Sequence, residues 1–554
     1  MDKVKKVFLQ IHPKDNVLVA LVDLEKGLTI EWNGYSFVLK DDVPAKHKFT
    51  VSNLDENEEV YMYGVLVGKV NQALEIGTLL TVDNLRHAAG DFELSNRKLE
   101  WHKPDVSRFL NRRFKGYHRS NGSVGTANHW LVIPLVFCEN RNVLTLKEAF
   151  EEKLGYKLDS KNYSLEVDEL ITRYKSGASV DELLNVDFSA SPLSTSQKRL
   201  FPNVDGVKFL NHDMGCGGTR MDSDALCGLL AGYITHPNVA GATVLSLGCQ
   251  HAQASILRNE IAKRDPDFDK PLFVFEQQLE GTEQGLMEKA IKSTFAGLVQ
   301  ANQQSREEAG LDKLCIGLEC GGSDGFSGIS ANPALGYLSD MLVTLGGSVI
   351  LAEFPELCGV EQELSDRCVN EETAEKFMFL MKRYNAKAEA DGSGFYMNPS
   401  PGNIRDGLIT DAIKSAGAAK KGGTSPVVAV IDYPGIVNEP GLNLLCTPGN
   451  DVESTTAEVA AGANIVLFTT GLGTPTGNPI APVVKLSTNT KTFQKMPDII
   501  DINCGTVIDG EESIAEVAQR ILEYVIAVAS GEQIPKAVQL GQDDFIPWRR
   551  GVSL

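Results

Sequence analysis

The apolar positions of this chain change their spacing along its length, and each change predicts a different kind of element. Over residues 1–90, apolar and polar residues alternate in FLQIHPKDNVLVALVDL, GLTIEW, YSFVLK, KFTVSNL and VYMYGVLVGKV, separated by Gly, Asn and Asp. A period of two broken by turn residues predicts a small all-β domain. Residues 91–115 are polar with little periodicity and read as a linker. Residues 116–202 form a middle segment, offered as a dimerisation domain. There GYHRSNGSVGTANHWLVIPLVFC predicts a strand ending at Cys138, LKEAFEEKL and SVDELL predict helices, and SASPLSTSQ predicts a loop. Residues 203–554 alternate β-branched runs with stretches whose apolar residues recur at i, i+3 and i+4. The helical stretches are DALCGLLAGYI, QGLMEKAIKSTFAGLVQANQQSREEA, CVNEETAEKFMFLMKRYNAKAEA and IAEVAQRILEYVIAVASG. This alternation predicts one α/β domain built on a doubly wound parallel sheet. The tail FIPWRRGVSL is expected to pack on a neighbouring subunit.

Six apolar runs of that large domain end in metal- or anion-binding residues. VDGVKFL leads to His212 and Cys216, ATVLSL to Cys249, PLFVF to Glu276, LCIGL to Glu319, Cys320 and Asp324, SVILA to Glu353 and Glu356, and NIVLFTT to Thr470 and Thr474. In a parallel sheet, ligands bind beyond the carboxyl ends of the strands. Thiolates and imidazoles are common ligands of iron and zinc. Cys216, Cys249, Cys320 and His212 are therefore the candidate metal ligands. For any single cysteine the alternative is a small buried hydrophobe. Glu319, Asp324 and His212 are the candidate catalytic residues, since carboxylates at strand ends act as general bases or bind divalent cations. Helix capping and ion pairing are the alternatives for the carboxylates.

Composition narrows the class. At 554 residues the chain exceeds one core and predicts two or three domains. A net charge of −20 argues against a nucleic-acid or anionic-membrane partner. No run of roughly 18 apolar residues occurs, so no membrane span is expected. Ten cysteines without a CxxC pair or a signal-peptide core read as reduced thiols, predicting a cytoplasmic protein.

Two loops add candidates for an anionic, hydroxyl-rich substrate. Asn398, Ser400 and Asn403 lie in a rigid Pro/Gly loop followed by Arg405, whose fork suits a carboxylate, and by Lys414. A solvated loop is the alternative. Thr470 and Thr474 flank Gly471-Leu472-Gly473, which lacks the GxGxxG of a dinucleotide site and suits an oxyanion or hydroxyl better. His47 stands alone in the β-domain and reads as an ordinary surface or core histidine.

With these residues in place, the chain resembles the altronate/galactarate dehydratase family over nearly its whole length. The motifs are IHPKDNVLVAL, VPAKHKF and YGVLVGKV in the small domain, then Gly116-Tyr117-His118-Arg119 and IPLVFCEN. The large domain adds GLECGGSDGFSGISANP, EFPELCGVEQ, NPSPGN, KKGGTSPV, GLNLLCTPGND, LFTTGLGTP and KLSTNT. The resemblance implies a β-clip (SAF) first domain, a Rossmann-like C-terminal domain, a homodimer, and a hydro-lyase that turns a sugar acid into a 2-keto-3-deoxy acid. It also implies Fe2+, with Mn2+ or another divalent ion as variants. An iron–sulfur cluster on the three cysteines is the alternative. Two positions depart from the family pattern: Thr81-Val82-Asp83-Asn84 stands where the family has His-x-His-Asn, and Ala127 stands where it has Arg before Asn128. The competing readings are a lyase for galactarate or a sulfonated hydroxy acid, and a sugar-acid binding protein without turnover.

Overall fold

The computed structural model describes residues 6–90, 94, 99–157, 163–188 and 198–553. The loop predicted at 189–197 lies outside these residues, as does part of the linker.

The first domain is all-β, as its alternation requires. Val17–Ala20 pairs antiparallel with Phe8–Leu9 and Lys48–Thr50, and Glu59–Met62, Val65–Val70 and Leu85–Arg86 form a second antiparallel sheet. The hairpin Thr29–Trp32/Tyr35–Val38 turns on Asn33-Gly34, both at positive φ, the two-residue turn whose twist matches the strands. One set of its side chains, including Leu18, Ile30, Phe37 and Phe49, makes a core of its own. The other set, including Val17, Val19, Val60 and Val67, belongs to the main core, so this domain is packed onto the rest of the chain.

The expectation of one sheet from residue 203 onward needs correcting, because the strands divide between two parallel sheets. Gly206–Phe209, His129–Pro134, Val239–Ser246 and Leu272–Glu276 form a four-stranded sheet in that order. A domain boundary at 203 would cut it, since a strand of the middle segment lies at its centre. The second sheet has seven strands, ordered Val427–Asp432, Gly441–Cys446, Ser348–Leu351, Cys315–Cys320, Ile465–Thr470, Val483–Ser487 and Ile502–Asn503. All its pairings are parallel.

This larger sheet is buried on both faces, which is why its strands read as continuous apolar runs. Ile465 and Leu467 face one core with the helices Ala331–Thr344 and Ile514–Ala529. Val466 and Phe468 face another with Arg220–Thr235 and Asp451–Ala460. That second core also takes Leu131 and Ile133 of the four-stranded sheet, so it joins the two sheets.

Three further expectations change. The long helix predicted through residue 309 is Glu283–Ala301, and Glu307–Gly310 instead adds an edge strand to Arg113–His118, which straddles the end of the predicted linker. The strand expected to end at Cys138 stops at Pro134, and Cys138 sits in the turn Phe137–Glu139. The tail folds onto its own chain. Trp548 stacks on Tyr384 at 5.7 Å, Arg550 pairs with Asp432 at 2.5 Å, and Asp222 accepts the Gly551 amide at 3.0 Å. Among the described residues no helix is long and apolar enough to cross a membrane.

Candidate active site

The strand Cys315–Cys320 lies inside the seven-stranded sheet, and its last two residues, Glu319 and Cys320, sit among buried acids and lysines. Glu319 is fully buried, with no other group donating to either carboxylate oxygen and the Glu353 carboxyl within side-chain hydrogen-bonding reach. Cys320, also buried, donates its thiol to Glu356 at 3.2 Å and lies 3.6 Å from Glu353. Both glutamates follow the neighbouring strand Ser348–Leu351. Glu353 takes a left-handed backbone conformation at φ 62°, held by its amide donating to Thr447 Oγ1 at 2.8 Å. A non-glycine residue held there stores strain, a recurrent property of functional sites. The turn Phe354–Leu357 then returns Glu356 to Cys320.

Two cations are buried against these acids. Lys421 Nζ donates to Glu353 at 3.0 Å, with both side chains about 1% exposed. Lys414 Nζ donates to Glu356 at 2.6 Å and to Asn398 Oδ1 at 2.8 Å. Lys421 is fixed by its loop, since Asp340 accepts the amides of Thr424 and Ser425 and Ser339 donates to the Lys421 carbonyl. Glu458, on Asp451–Ala460, accepts the Leu318 amide at 3.0 Å and leaves its other oxygen unpartnered. Two glycines make room for acids: a Cβ at Gly317 would meet Glu458 at 2.6 Å, and one at Gly321 would overlap the Asp451 carboxylate.

The acids outnumber the lysines, so they cannot all ionise in a dry site. Burial, then Glu353 and Glu458, push the Glu319 carboxyl well above the usual range. Burial pushes Glu458 up to about 8 and Asp451 to about 7. Burial would also raise Glu356, but Lys414 and Lys421 overcome it and hold this carboxyl below the usual range. The site thus holds a protonated acid and an ionised one side by side, the separation that proton-transfer sites exploit.

Asp324 has a different role from the free base or acid expected. Its Oδ1 accepts from Thr488 at 2.8 Å and Ser327 at 3.1 Å, and its Oδ2 accepts from Asn489 at 3.1 Å and Lys46 at 3.0 Å. With both oxygens engaged, Asp324 works as an anchor. Lys46 comes from the first domain and also pairs with Asp406 at 2.6 Å. Two residues on, Lys48 is 1% exposed and donates to the carbonyls of Gly407 at 2.6 Å and Lys46 at 3.0 Å. His47 between them reaches only the Ala45 carbonyl, at 3.3 Å.

Burial lowers the Lys48 pKa to about 7, partly opposed by Asp324. Between about 7 and its ordinary 10.5 the unfolded chain binds a proton there that the folded chain does not. Folding stability therefore rises with pH across that window. Lys48→Met is expected to flatten this slope, which denaturant melts at several pH values would read. An unchanged slope would mean the Lys48 ammonium stays hydrated.

The remaining expected residues scatter. Cys216 and Cys249 are exposed and follow strands of the four-stranded sheet. Among the described residues, Cys320 groups only with Glu353 and Glu356 as close metal-ligating atoms. His212 is buried with both ring nitrogens engaged, by the Pro134 carbonyl at 2.7 Å and the Met214 amide at 3.1 Å, so it has no free lone pair for a metal. Burial lowers its pKa to about 4.

In the Pro/Gly loop, Ser400 and Asn403 cap the helix Pro401–Arg405 reciprocally, and Asn403 also donates to the Ser323 carbonyl at 2.8 Å. Asn398 and Lys414 do meet the acid cluster, and Asn398 Nδ2 is buried without a partner. Arg405 is exposed at that helix's end. Thr470 Oγ1 accepts the Gly473 amide at 2.9 Å, and Thr470 and Thr474 border Gly322. Lys421 stands with Lys414 among the positive charges that the sequence offers, whereas Glu458, Lys46 and Lys48 were not singled out in it.

The departures from the family pattern are filled locally. Asn84 closes its own turn, accepting the Thr81 amide and donating to Leu79. Beside Ala127, Asn128 receives a guanidinium from Arg119 at 3.0 Å.

Three family models match in series: the altronate/galactarate dehydratase SAF domain over residues 6–88, the D-galactarate dehydratase/altronate hydrolase second domain over 116–302, and the D-galactarate/altronate dehydratase C-terminal domain over 311–553. An altronate dehydratase of Bacillus subtilis (strain 168) is 34% identical over 529 residues, 96% of each chain. An altronate dehydratase of Escherichia coli (strain K12) is 31% identical over 530 residues, 95% of this chain and 96% of that one. The galactarate dehydratase (L-threo-forming) of the same strain is 28% identical over 532 residues, 95% and 93% of the two chains.

Proposed function

The chain belongs to the altronate/galactarate dehydratase family, a sugar-acid hydro-lyase by its relatives, and on that premise we propose that it dehydrates altronate at the Glu319–Cys320 cluster. The observation that carries this reading is the buried set of Glu319, Cys320, Glu353, Glu356, Lys414 and Lys421 at the carboxyl end of a parallel sheet.

A thiol with two carboxylates suits Fe2+ or Mn2+, and Glu353 keeps one oxygen without a partner. Cys320, Glu353 and Glu356 would hold the ion. When bound, it supplies a Lewis acid for negative charge developing on the substrate's carboxylate and 2-oxygen. The carboxylate neighbours of Cys320 favour a single ion over an iron–sulfur cluster.

The side chains supply the rest. Glu319 holds a proton at neutral pH, hydrogen-bonded toward the Glu353 carboxyl beside it, so it is the group to transfer a proton to or from the reacting carbons' substituents. Lys414 and Asn398 offer donors to the acid's carboxylate, and Lys421 holds Glu353 in place. Asp324, through Lys46, keeps the first domain seated beside this sheet end. The ten free cysteines suit a reducing cytoplasm, and we read the working unit as a homodimer.

The test is an anaerobic dehydration assay with ferrous iron and a thiol reductant over altronate, galactarate, other aldonates and aldarates, and a sulfonated hydroxy acid. Expected is 2-keto-3-deoxy product from altronate, lost with chelator and in Cys320→Ser. Turnover of another acid alone would overturn the altronate assignment. Binding without turnover would overturn the catalytic one.

A further inference from the structure

A second group of ligand atoms begins two residues beyond Glu356. His87 follows the strand Leu85–Arg86 of the first domain, Cys358 follows the turn Phe354–Leu357, and Asp411 opens the helix Asp411–Ala418. One ligand atom from each lies within 4.8 Å of the others. His87 Nδ1 is buried and lacks a hydrogen-bond partner, and Asp411 is fully buried, its Oδ1 accepting from Ser415 at 3.4 Å and its carboxyl hydrogen-bonded to the Cys358 thiol. Buried polar atoms left unmatched are costly, and such atoms call for an explanation. A cavity of about 280 Å³ opens onto His87 and Cys358, with Glu361, Phe395 and Tyr396 in its wall.

We propose that His87, Cys358 and Asp411 form a site for a divalent transition-metal ion of the zinc class, tying the last strand of the first domain to the C-terminal domain. One nitrogen, one sulfur and one oxygen donor are a set that zinc accepts, with a fourth position left for water. Burial keeps the His87 imidazole neutral, so its lone pair is available. The Cys358 thiol now lies against the Asp411 carboxyl. As the ion binds, the Cys358 S–H bond and the O–H bond that burial keeps on the Asp411 carboxyl both break, the two protons leave to solvent through the cavity, and the freed sulfur and oxygen lone pairs form the metal bonds. The three ligands come from separate stretches of chain that only the folded protein assembles, so the ion would act on domain docking. The proposal does not rest on the dehydratase reading, which gives none of these residues a part.

The experiment is a titration of metal-free full-length Cys320→Ser protein with Co2+, so that any sulfur-to-cobalt charge-transfer band must come from another thiol. Expected are that band and the ligand-field bands of four-coordinate cobalt, saturating at one equivalent. His87→Gln and Cys358→Ser should lose them, with affinity falling by about a hundredfold. Zn2+ should bleach the bands, slow alkylation of Cys358, and raise the unfolding temperature of the parent but not of His87→Gln. His87 is half-buried, so His87→Gln supplies the test even if Cys358→Ser fails to fold. Bands unchanged in a folded His87→Gln protein, or no bands in the parent, would overturn the proposal. Loss of dehydratase activity alone bears only on the other site.

Discussion

Lys421→Met is expected to destabilise the protein by about 3–5 kcal/mol, the cost of removing one partner from a buried ion pair. The methionine side chain nearly fills the lysine's volume, so the loss is electrostatic. Lys421 is 1% exposed and donates to Glu353 at 3.0 Å. Burial opposes its charge, but Cys320, Glu353, Glu319 and Glu356 together hold the ammonium well above its ordinary pKa. Without it, Glu353 must ionise unpaired beside Glu356 or take up a proton. Urea melts of Lys421→Met, Glu353→Gln and the double variant would measure the pair. The double variant should recover part of the loss, because neither group is then left unpaired. A Lys421→Met protein within about 0.5 kcal/mol of wild type would show that water reaches this lysine.

How much of this site the sequence disclosed depends on distance along the chain. Glu319 and Cys320 were legible because a buried strand announces its own end: LCIGL stops, and polar residues begin. The same logic marked Glu353 and Glu356. It could not say which strand ends share a sheet. Cys216 and Cys249 end equally clear runs, yet their strands pair with His129–Pro134 and not with Cys315–Cys320.

Lys420 and Lys421 are adjacent and identical in type. Lys420 is 34% exposed at its side chain and Lys421 1%, a difference set by the turn Ala419–Gly422. Glu458 sits in TTAEVAAG, a pattern that suits a surface helix, and only Gly317 on the facing strand explains its burial. Lys46 and Lys48 looked like a charged loop because their partners, Asp406 and Gly407, lie some 360 residues away.

Glu319→Gln is expected to lower kcat by about 10²–10⁴-fold, the usual contribution of a proton-transfer group. The substitution keeps the shape and removes the transferable proton. Its effect on folding should run the other way. The folded chain keeps Glu319 protonated well above 4.5, through burial and then the charges of Glu353 and Glu458. The unfolded chain releases that proton near 4.5, so the stability this group contributes is present below that pH and is lost as pH rises toward the folded value. Glutamine does not titrate, so the variant should hold its neutral-pH stability, or gain some, and lose less on going alkaline. Turnover and melting curves across pH 5 to 9, a range of about four units around neutrality, separate the outcomes. A large fall in kcat with unchanged or improved melting assigns the proton to Glu319. A fall in both together would make the carboxyl a structural part of the cluster, and Glu356, the acid held ionised beside Lys414, would then be the residue to test for proton transfer.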